Sequence, residues 1–211
     1  MANSRIYVEE SIAPEFLRQF KQAFGTFQHG DPLDKQTTLG PQADNIQADA
    51  VRKYIDIGKQ EGKVELGGNN VKGNFFEPTV FTGIADQSKL NQEEVFGPVA
   101  VIHTFKTEEE ALRRANDSEC KVLLMNFVVT LLTCSKLDGL YAAVFTKDID
   151  RALRVAKELQ AGTVAINASS PSGANEAPFG GFKSSGVGRE GGMDSLKRWC
   201  EEKSVILKYT S

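Results

Sequence analysis

At 211 residues the chain is long enough for one or two domains and a substantial apolar core. Its 25 basic and 28 acidic residues leave a net charge of −3 with no basic cluster, which argues against a nucleic-acid partner. Cys120, Cys134 and Cys200 are odd in number and lack metal-ligand spacing, so they suggest a reducing compartment and no disulfide framework. His29 and His103 stand far apart, so each reads as structural or solvated and no metal site is expected. Met1-Ala-Asn-Ser-Arg5 opens straight into an alternating run with no secretory signal. A cytoplasmic protein with no membrane contact is the expectation.

Alternation around Ile6 and Val8 predicts a half-buried strand over Arg5–Glu9. Pro14 then suits a helix start, and Phe16, Leu17, Phe20, Ala23, Phe24 and Phe27 recur at helical spacing, an aromatic stripe that reads as core. Turns are expected at Gly30-Asp-Pro-Leu33 and Leu39-Gly-Pro41. A second helix is predicted from Asn45 to Glu61, its apolar face Ile46, Ala50, Val51, Tyr54, Ile55 and Ile57 and its stop at Gly62. Short strands follow at Lys63–Leu66 and Phe75–Phe81, broken by Gly67-Gly68.

Gly97-Pro98 fixes a turn behind Glu93, Glu94 and Phe96, which on its own reads as a solvated acidic turn carrying a core phenylalanine. Val99–Phe105 reads as strand and Glu108–Asn116 as a helix capped by Thr107. A strand–helix–strand rhythm follows at Leu140–Phe145, Asp148–Leu159 and Gly162–Ile166, and such alternation predicts an α/β fold with a mostly parallel sheet flanked by helices.

The segment Asn167–Gly192 is too rich in glycine and proline for a regular element. Phe179 and Phe182 beside Gly180-Gly181 predict a packed, ordered loop. Gly186, Gly188 and Gly191 match the spacing of the dinucleotide fingerprint, but no strand runs into them and no acidic residue follows at the required distance, so a Rossmann turn is rejected. A short helix over Met193–Glu202 and a closing strand over Lys203–Tyr209 complete the reading.

Two motifs carry a family resemblance. Glu176-Ala-Pro-Phe-Gly-Gly-Phe-Lys-Ser-Ser-Gly-Val-Gly-Arg-Glu190 resembles the C-terminal signature of aldehyde dehydrogenases, and Gln92-Glu-Glu-Val-Phe-Gly-Pro98 resembles that family's nicotinamide-side motif. The resemblance covers nearly the whole chain and begins partway through the family's sequence. It implies a single domain over residues 1–211, similar to the family's catalytic domain without the Rossmann cofactor domain. It also implies that Glu94 and Phe96 meet the ribose and ring of the nicotinamide of NAD or NADP. Ser169 to Phe179, with Ser169, Ser170 and Phe179 as candidate contacts, would form the substrate-entry loop. Glu190 matches a glutamate linked to proton relay in the family, although its simplest reading is an acid at a helix N-terminus. The Lys203–Tyr209 strand would pair across a subunit boundary, which makes a homo-oligomer, or pairing with a full-length relative, the expectation.

The family's chemistry needs a cysteine thiolate to attack the aldehyde, donors for the oxyanion, hydride transfer to a dinucleotide, and a glutamate base for deacylation. The family's nucleophile would align just ahead of Met1, and the base and cofactor domain align further upstream. No oxidation of aldehydes and no tight cofactor binding are therefore expected of the chain as written. A repurposed, cofactor-independent enzyme acting on an unrelated small molecule and a non-catalytic scaffold are the alternatives. Cys120, Cys134 and Cys200 offer no convincing substitute nucleophile; Cys200, for one, is followed by Glu201-Glu202.

One stretch departs from the family pattern. Lys121–Asp138 intervenes between a helix end and the next strand, and it holds the run Val122–Leu132. That run is shorter than the roughly 20 residues that span a bilayer, has no polar face, and includes the uncharged, strand-prone Phe127–Leu132. It reads as a retained intron, or alternatively as a genuine insertion covering exposed surface.

Overall fold

A computed structural model describes residues 4–116, 139–169, 176–183 and 185–208. The predicted insert at 121–138 lies outside the described residues.

Strand β1 (Arg5–Glu9) runs parallel to β6 (Val99–Phe105), which runs parallel to β5 (Thr79–Thr82), while β2 (Lys63–Leu66) closes the other side of β5 antiparallel. The sheet order is β1-β6-β5-β2, so the first strand lies beside one almost a hundred residues later. A second parallel pair joins β7 (Tyr141–Val144) and β8 (Thr163–Ile166) in register from Tyr141↔Thr163 to Val144↔Ile166. A small antiparallel ladder pairs β3 (Asn70–Lys72) with β4 (Phe75–Phe76). Strand β7 is buried throughout, β6 at every residue but Thr104 and β1 from Arg5 to Val8, because parallel strands are covered on both faces; the reading of β1 as half-buried is corrected.

Helix α1 (Ala13–Phe24) starts with proline in its first turn and lays Phe16, Leu17, Phe20 and Phe24 against the β1–β6 core. The phenylalanines stack along the helix at 5.7 and 5.2 Å between ring centroids. Helix α2 (Asn45–Glu61) is capped by the Asp44 carboxylate, which accepts from the Gln47 amide at 2.8 Å, and it stops at Gly62. Its buried face is Ala48, Val51, Ile55 and Gly58, rotated from the predicted one: Ile46 is 82% exposed. Gly58 takes the place a bulkier residue would fill, since a Cβ there would meet the Phe81 ring.

Three further departures have local causes. Pro78 interrupts the run predicted as one strand over Phe75–Phe81, splitting it into β4 and β5, because proline cannot donate to a ladder. A one-turn helix α3 (Lys89–Gln92), capped by Ser88, is too short to leave a periodic signature. The C-terminal helix is shorter than predicted, α6 (Gly192–Leu196) running into a 3₁₀ turn at Lys197–Trp199, and residues 203–208 are exposed and pair with no strand among the described residues. Between them in sequence, α4 (Glu108–Asn116) and α5 (Ile149–Glu158) flank the sheets and form as predicted, α5 capped by the Asp148 carboxylate. No helix among the described residues is long and apolar enough to cross a membrane.

Candidate functional site

The candidate residues fall into two groups. The first is the turn between α3 and β6. Val95 is buried there, Glu94 is half-buried, and Phe96 is 71% exposed with φ of 49°. A bulky residue in the left-handed region is costly, and a large ring held in water forgoes the gain of burial. Packing alone therefore does not explain Phe96, and the reading of this residue as core is corrected.

Both sides of the turn are anchored. On the α3 side, the backbone carbonyl of Asn91 accepts from the Arg5 guanidinium, and the Asn91 side chain donates to the Ala85 carbonyl at 2.7 Å while meeting His103 Nε2 at 2.9 Å. His103 stacks on Tyr7 at 5.0 Å, and burial pushes its imidazole down to about 3, so the ring is neutral. Arg114 closes this network with a two-pronged contact to Asp86, a bond to the Thr104 carbonyl at 2.8 Å, and a guanidinium 5.3 Å from the Tyr7 ring centre.

On the opposite side stands α2. Its Tyr54 hydroxyl donates to the Glu93 carboxylate at 2.8 Å, and burial together with that bond and charge pushes the phenol up to about 12. Gln47 donates from Nε2 to the Val95 and Phe96 carbonyls at 3.0 and 3.1 Å. Gln47 and Tyr54 were not singled out as site residues from sequence; their signal is the spacing 47, 51, 54, which lies on one helical face.

The second group lies in the glycine-rich loop. The loop leaves β8 at Asn167, which takes φ of 54° and grips both the Thr146 amide and the Thr146 carbonyl through its own side-chain amide, at 2.9 and 3.0 Å. Asparagine is the non-glycine residue best suited to that backbone. Ser169 follows and is exposed, whereas Ser170 lies outside the described residues. Further on, Phe179 and Glu190 exchange two backbone hydrogen bonds, at 2.6 and 2.7 Å, and pin the loop into a closed lobe. Arg189 braces the lobe from within, donating to the Gly181 and Gly188 carbonyls at 2.8 and 2.7 Å with its guanidinium over Phe182. The lobe seats on the β7–β8 unit by a Gly162–Gly180 approach too close for any Cβ, and by the Gly139–Phe182 bridge. The described part of the loop is therefore packed, as its aromatics and paired glycines predict. Phe179 is half-buried, and Glu190 is exposed just ahead of α6.

Gly186, Gly188 and Gly191 all take positive φ within irregular backbone, so they shape a loop. Among the described residues no group of three metal-ligating side chains comes together, and the thiol of Cys200 is exposed at the end of the 3₁₀ turn.

The sequence profile of the aldehyde dehydrogenase family matches residues 1–130 and 135–205. The chain belongs to the aldehyde dehydrogenase family. The profile leaves out residues 131–134 but takes in the rest of Lys121–Asp138, so most of the stretch expected to depart from the family pattern is matched by it.

Among curated relatives of this aldehyde dehydrogenase-family chain, retinal dehydrogenase 2 of Gallus gallus is 43% identical over 210 residues, and aldehyde dehydrogenase 1A1 of the same organism is 43% identical over 211. The match takes in 98% of this chain but 37% of the first relative, and 99% against 38% for the second. The chain thus spans little more than a third of their length.

Among solved structures, the indole-3-acetaldehyde dehydrogenase of P. syringae in complex with NAD+ and IAA superposes with a TM-score of 0.84 at 36% identity, over 98% of this chain and 39% of that one. Betaine aldehyde dehydrogenase of Staphylococcus aureus in complex with NAD+ gives 0.79 at 37% identity, over 93% and 37%. These similarities bear out the α/β fold class together with the family.

Proposed function

We propose that this chain supplies the nicotinamide-facing turn and the substrate-entry loop of an NAD(P)-dependent aldehyde dehydrogenase, folded as one catalytic-type domain, and that the 211-residue chain alone does not oxidise aldehydes. The observation that carries the reading is Phe96, a ring held out to solvent on a left-handed backbone one residue beyond Val95 and two beyond Glu94. Such a turn offers a flat apolar surface and a carboxylate side by side, which suits a nicotinamide riboside: the ring packs on the base, and Glu94 accepts from ribose hydroxyls. When bound, the dinucleotide supplies the hydride acceptor. The shared core of β1, β6, β7 and β8 side chains supports the one-domain reading.

The residues present fit the nicotinamide half of the cofactor and offer little to the rest. A pyrophosphate is usually held at a helix N-terminus behind a glycine-rich turn that follows a strand, and the glycines with that spacing, Gly186, Gly188 and Gly191, shape the packed lobe instead. Affinity for NAD should be about millimolar, near −4 kcal/mol. Nor is there a nucleophile at the site among the described residues, since Cys200 lies beyond α6. Ser169, Ser170 and Phe179 are assigned to substrate contact and Glu190 to a remnant of proton relay, both by family resemblance.

The exposed apolar side chains near the C-terminus, Met193, Leu196, Trp199, Val205, Ile206 and Leu207, support a further part of the reading. Segment 203–208 would become a strand on pairing with a second copy of the chain or with a full-length relative. The odd number of cysteines, without metal-ligand spacing, favours the cytoplasm. Calorimetric titration with NAD, followed by an absorbance assay for NADH with short- and long-chain aldehydes, tests the whole. Weak binding without turnover is expected. Micromolar binding, or turnover abolished by Glu94→Ala, would overturn the inactive reading.

A further inference from the structure

The turn that presents Phe96 does not hold its own shape. Phe96 sits at φ of 49°, its ring is largely in water, and so side-chain burial contributes little to fixing it. The peptide units on either side of it are gripped instead by one helix. Gln47 Nε2 reaches the carbonyls of Val95 and Phe96 at 3.0 and 3.1 Å. Tyr54 holds the Glu93 carboxylate at 2.8 Å, one residue before Glu94. Between these two contacts Val51 presses against Gly97, so closely that a Cβ on residue 97 would stand 2.6 Å from Val51 Cγ2. The three contacts come from positions 47, 51 and 54 of α2, a single face, and the helix is itself fixed at its start by the Asp44 cap and beneath by the Gly58–Phe81 contact.

The geometry points to Gln47 and Tyr54 as positioning residues: α2 acts as a clasp that holds the Glu93–Gly97 turn in the left-handed form that displays Phe96 and orients Glu94. The inference rests on the reading of that turn as the nicotinamide-facing wall, which it deepens. Gln47 is the stronger member, because one amide satisfies two carbonyls of a segment that no strand ladder covers. Tyr54 has a different task. Its bond to the Glu93 carboxylate fixes the residue that precedes Glu94, at the start of the turn. The raised phenol accords with that bond, since the Glu93 carboxylate favours the neutral hydroxyl.

The test compares the unsubstituted chain with Gln47→Glu and with Gln47→Glu/Tyr54→Phe. Gln47→Glu keeps the size of the side chain and suits the first turn of a helix, where an acid is favoured, so α2 should still form. It replaces a donating amide by a carboxylate facing two carbonyls. Hydrogen–deuterium exchange of the Val95, Phe96 and Gly97 amides should rise about tenfold, the change that a lost bond of about 1.4 kcal/mol produces, while amides of β5 and β6 keep their protection. The double variant should raise it further. Unchanged exchange at residues 95–97 in the double variant would overturn the clasp, and so would an equal rise throughout β5 and β6, which would mean general loosening.

Saturation-transfer NMR with nicotinamide mononucleotide separates this inference from the reading beneath it. Transfer to the ring protons in the unsubstituted chain, lost in Gln47→Glu, is the expected result. No transfer in the unsubstituted chain, with faster exchange at residues 95–97 in the variants, would overturn the nicotinamide reading while leaving the clasp standing. Transfer undiminished in the double variant would overturn the positioning role.

Discussion

His103 is the residue whose environment departs furthest from its reading in sequence. A lone histidine in an apolar strand gives no sign of its partners, and the largely apolar run of β6 shows only that it lies in the sheet. In the folded chain it is wedged among Tyr7, Asn91 and Arg114, with Asp86 and Arg5 the other nearby charges, and burial holds it neutral down to about 3. The folded-state value lies below the unfolded one. Its contribution to stability is therefore fully present above about pH 6.5, and is lost as pH falls from there towards 3, because the unfolded chain takes up a proton that the folded chain refuses. Within that window the slope from this one group approaches about 1.4 kcal/mol per pH unit. Denaturant unfolding of the native chain and His103→Gln between pH 4 and 8 (about the range in which histidine titrates) should show the variant less stable at neutral pH by roughly 1–3 kcal/mol. The gap should narrow as pH falls. A gap that stays constant with pH would show that folding does not lower the pKa of His103, and a gap that widens as pH falls would show that folding raises it.

Elements were legible where side chains of known preference mark their ends. Arg5–Glu9 and Asn45–Glu61 form with the bounds predicted, because alternation delimits the strand, and Asp44 and Gly62 flank the helix. The loop's packing was legible from Phe179, Phe182 and the paired glycines, but its means were not. The Phe179–Glu190 bridge and the Arg189 brace depend on a chain reversal that no local pattern announces. Likewise Gln47 looked like any surface glutamine on a helix, since its targets lie almost fifty residues away. The closing strand failed to form for a different reason: a strand needs a neighbour, and segment 203–208 has none among the described residues. At this scale Gly162 is the sharpest test. A methyl at that position runs into the backbone carbonyl of Gly180, which cannot rotate away. Gly162→Ala should cost about 1–3 kcal/mol and unseat the 176–192 lobe, seen as faster proteolysis there. A variant as stable and as resistant as the native chain would mean that the lobe is not seated on β8.

For the molecule as a whole, several of the exposed apolar residues lie near the C-terminus, where Trp199 is 88% and Ile206 94% exposed. Apolar patches well beyond about 600 Å² are rarely left open on soluble monomers. Light scattering at tens of micromolar, a concentration at which an ordinary contact of about −7 kcal/mol associates, should therefore detect a dimer or larger species. Removing residues 203–211 should return it to monomer, and a clean monomer for the intact chain would contradict the proposed pairing. The sheet order, by contrast, was outside the reach of sequence patterns, since β1 finds its partner across most of the described chain.

The central claim is that the Glu93–Gly97 turn is a nicotinamide-facing surface, and saturation-transfer NMR with NAD itself tests it most directly. Weak binding favours this method, because fast exchange carries saturation into free ligand. The account predicts stronger transfer to the nicotinamide protons than to the adenine protons, abolished by Phe96→Ala. Transfer centred on adenine, or unchanged without the Phe96 ring, would contradict it.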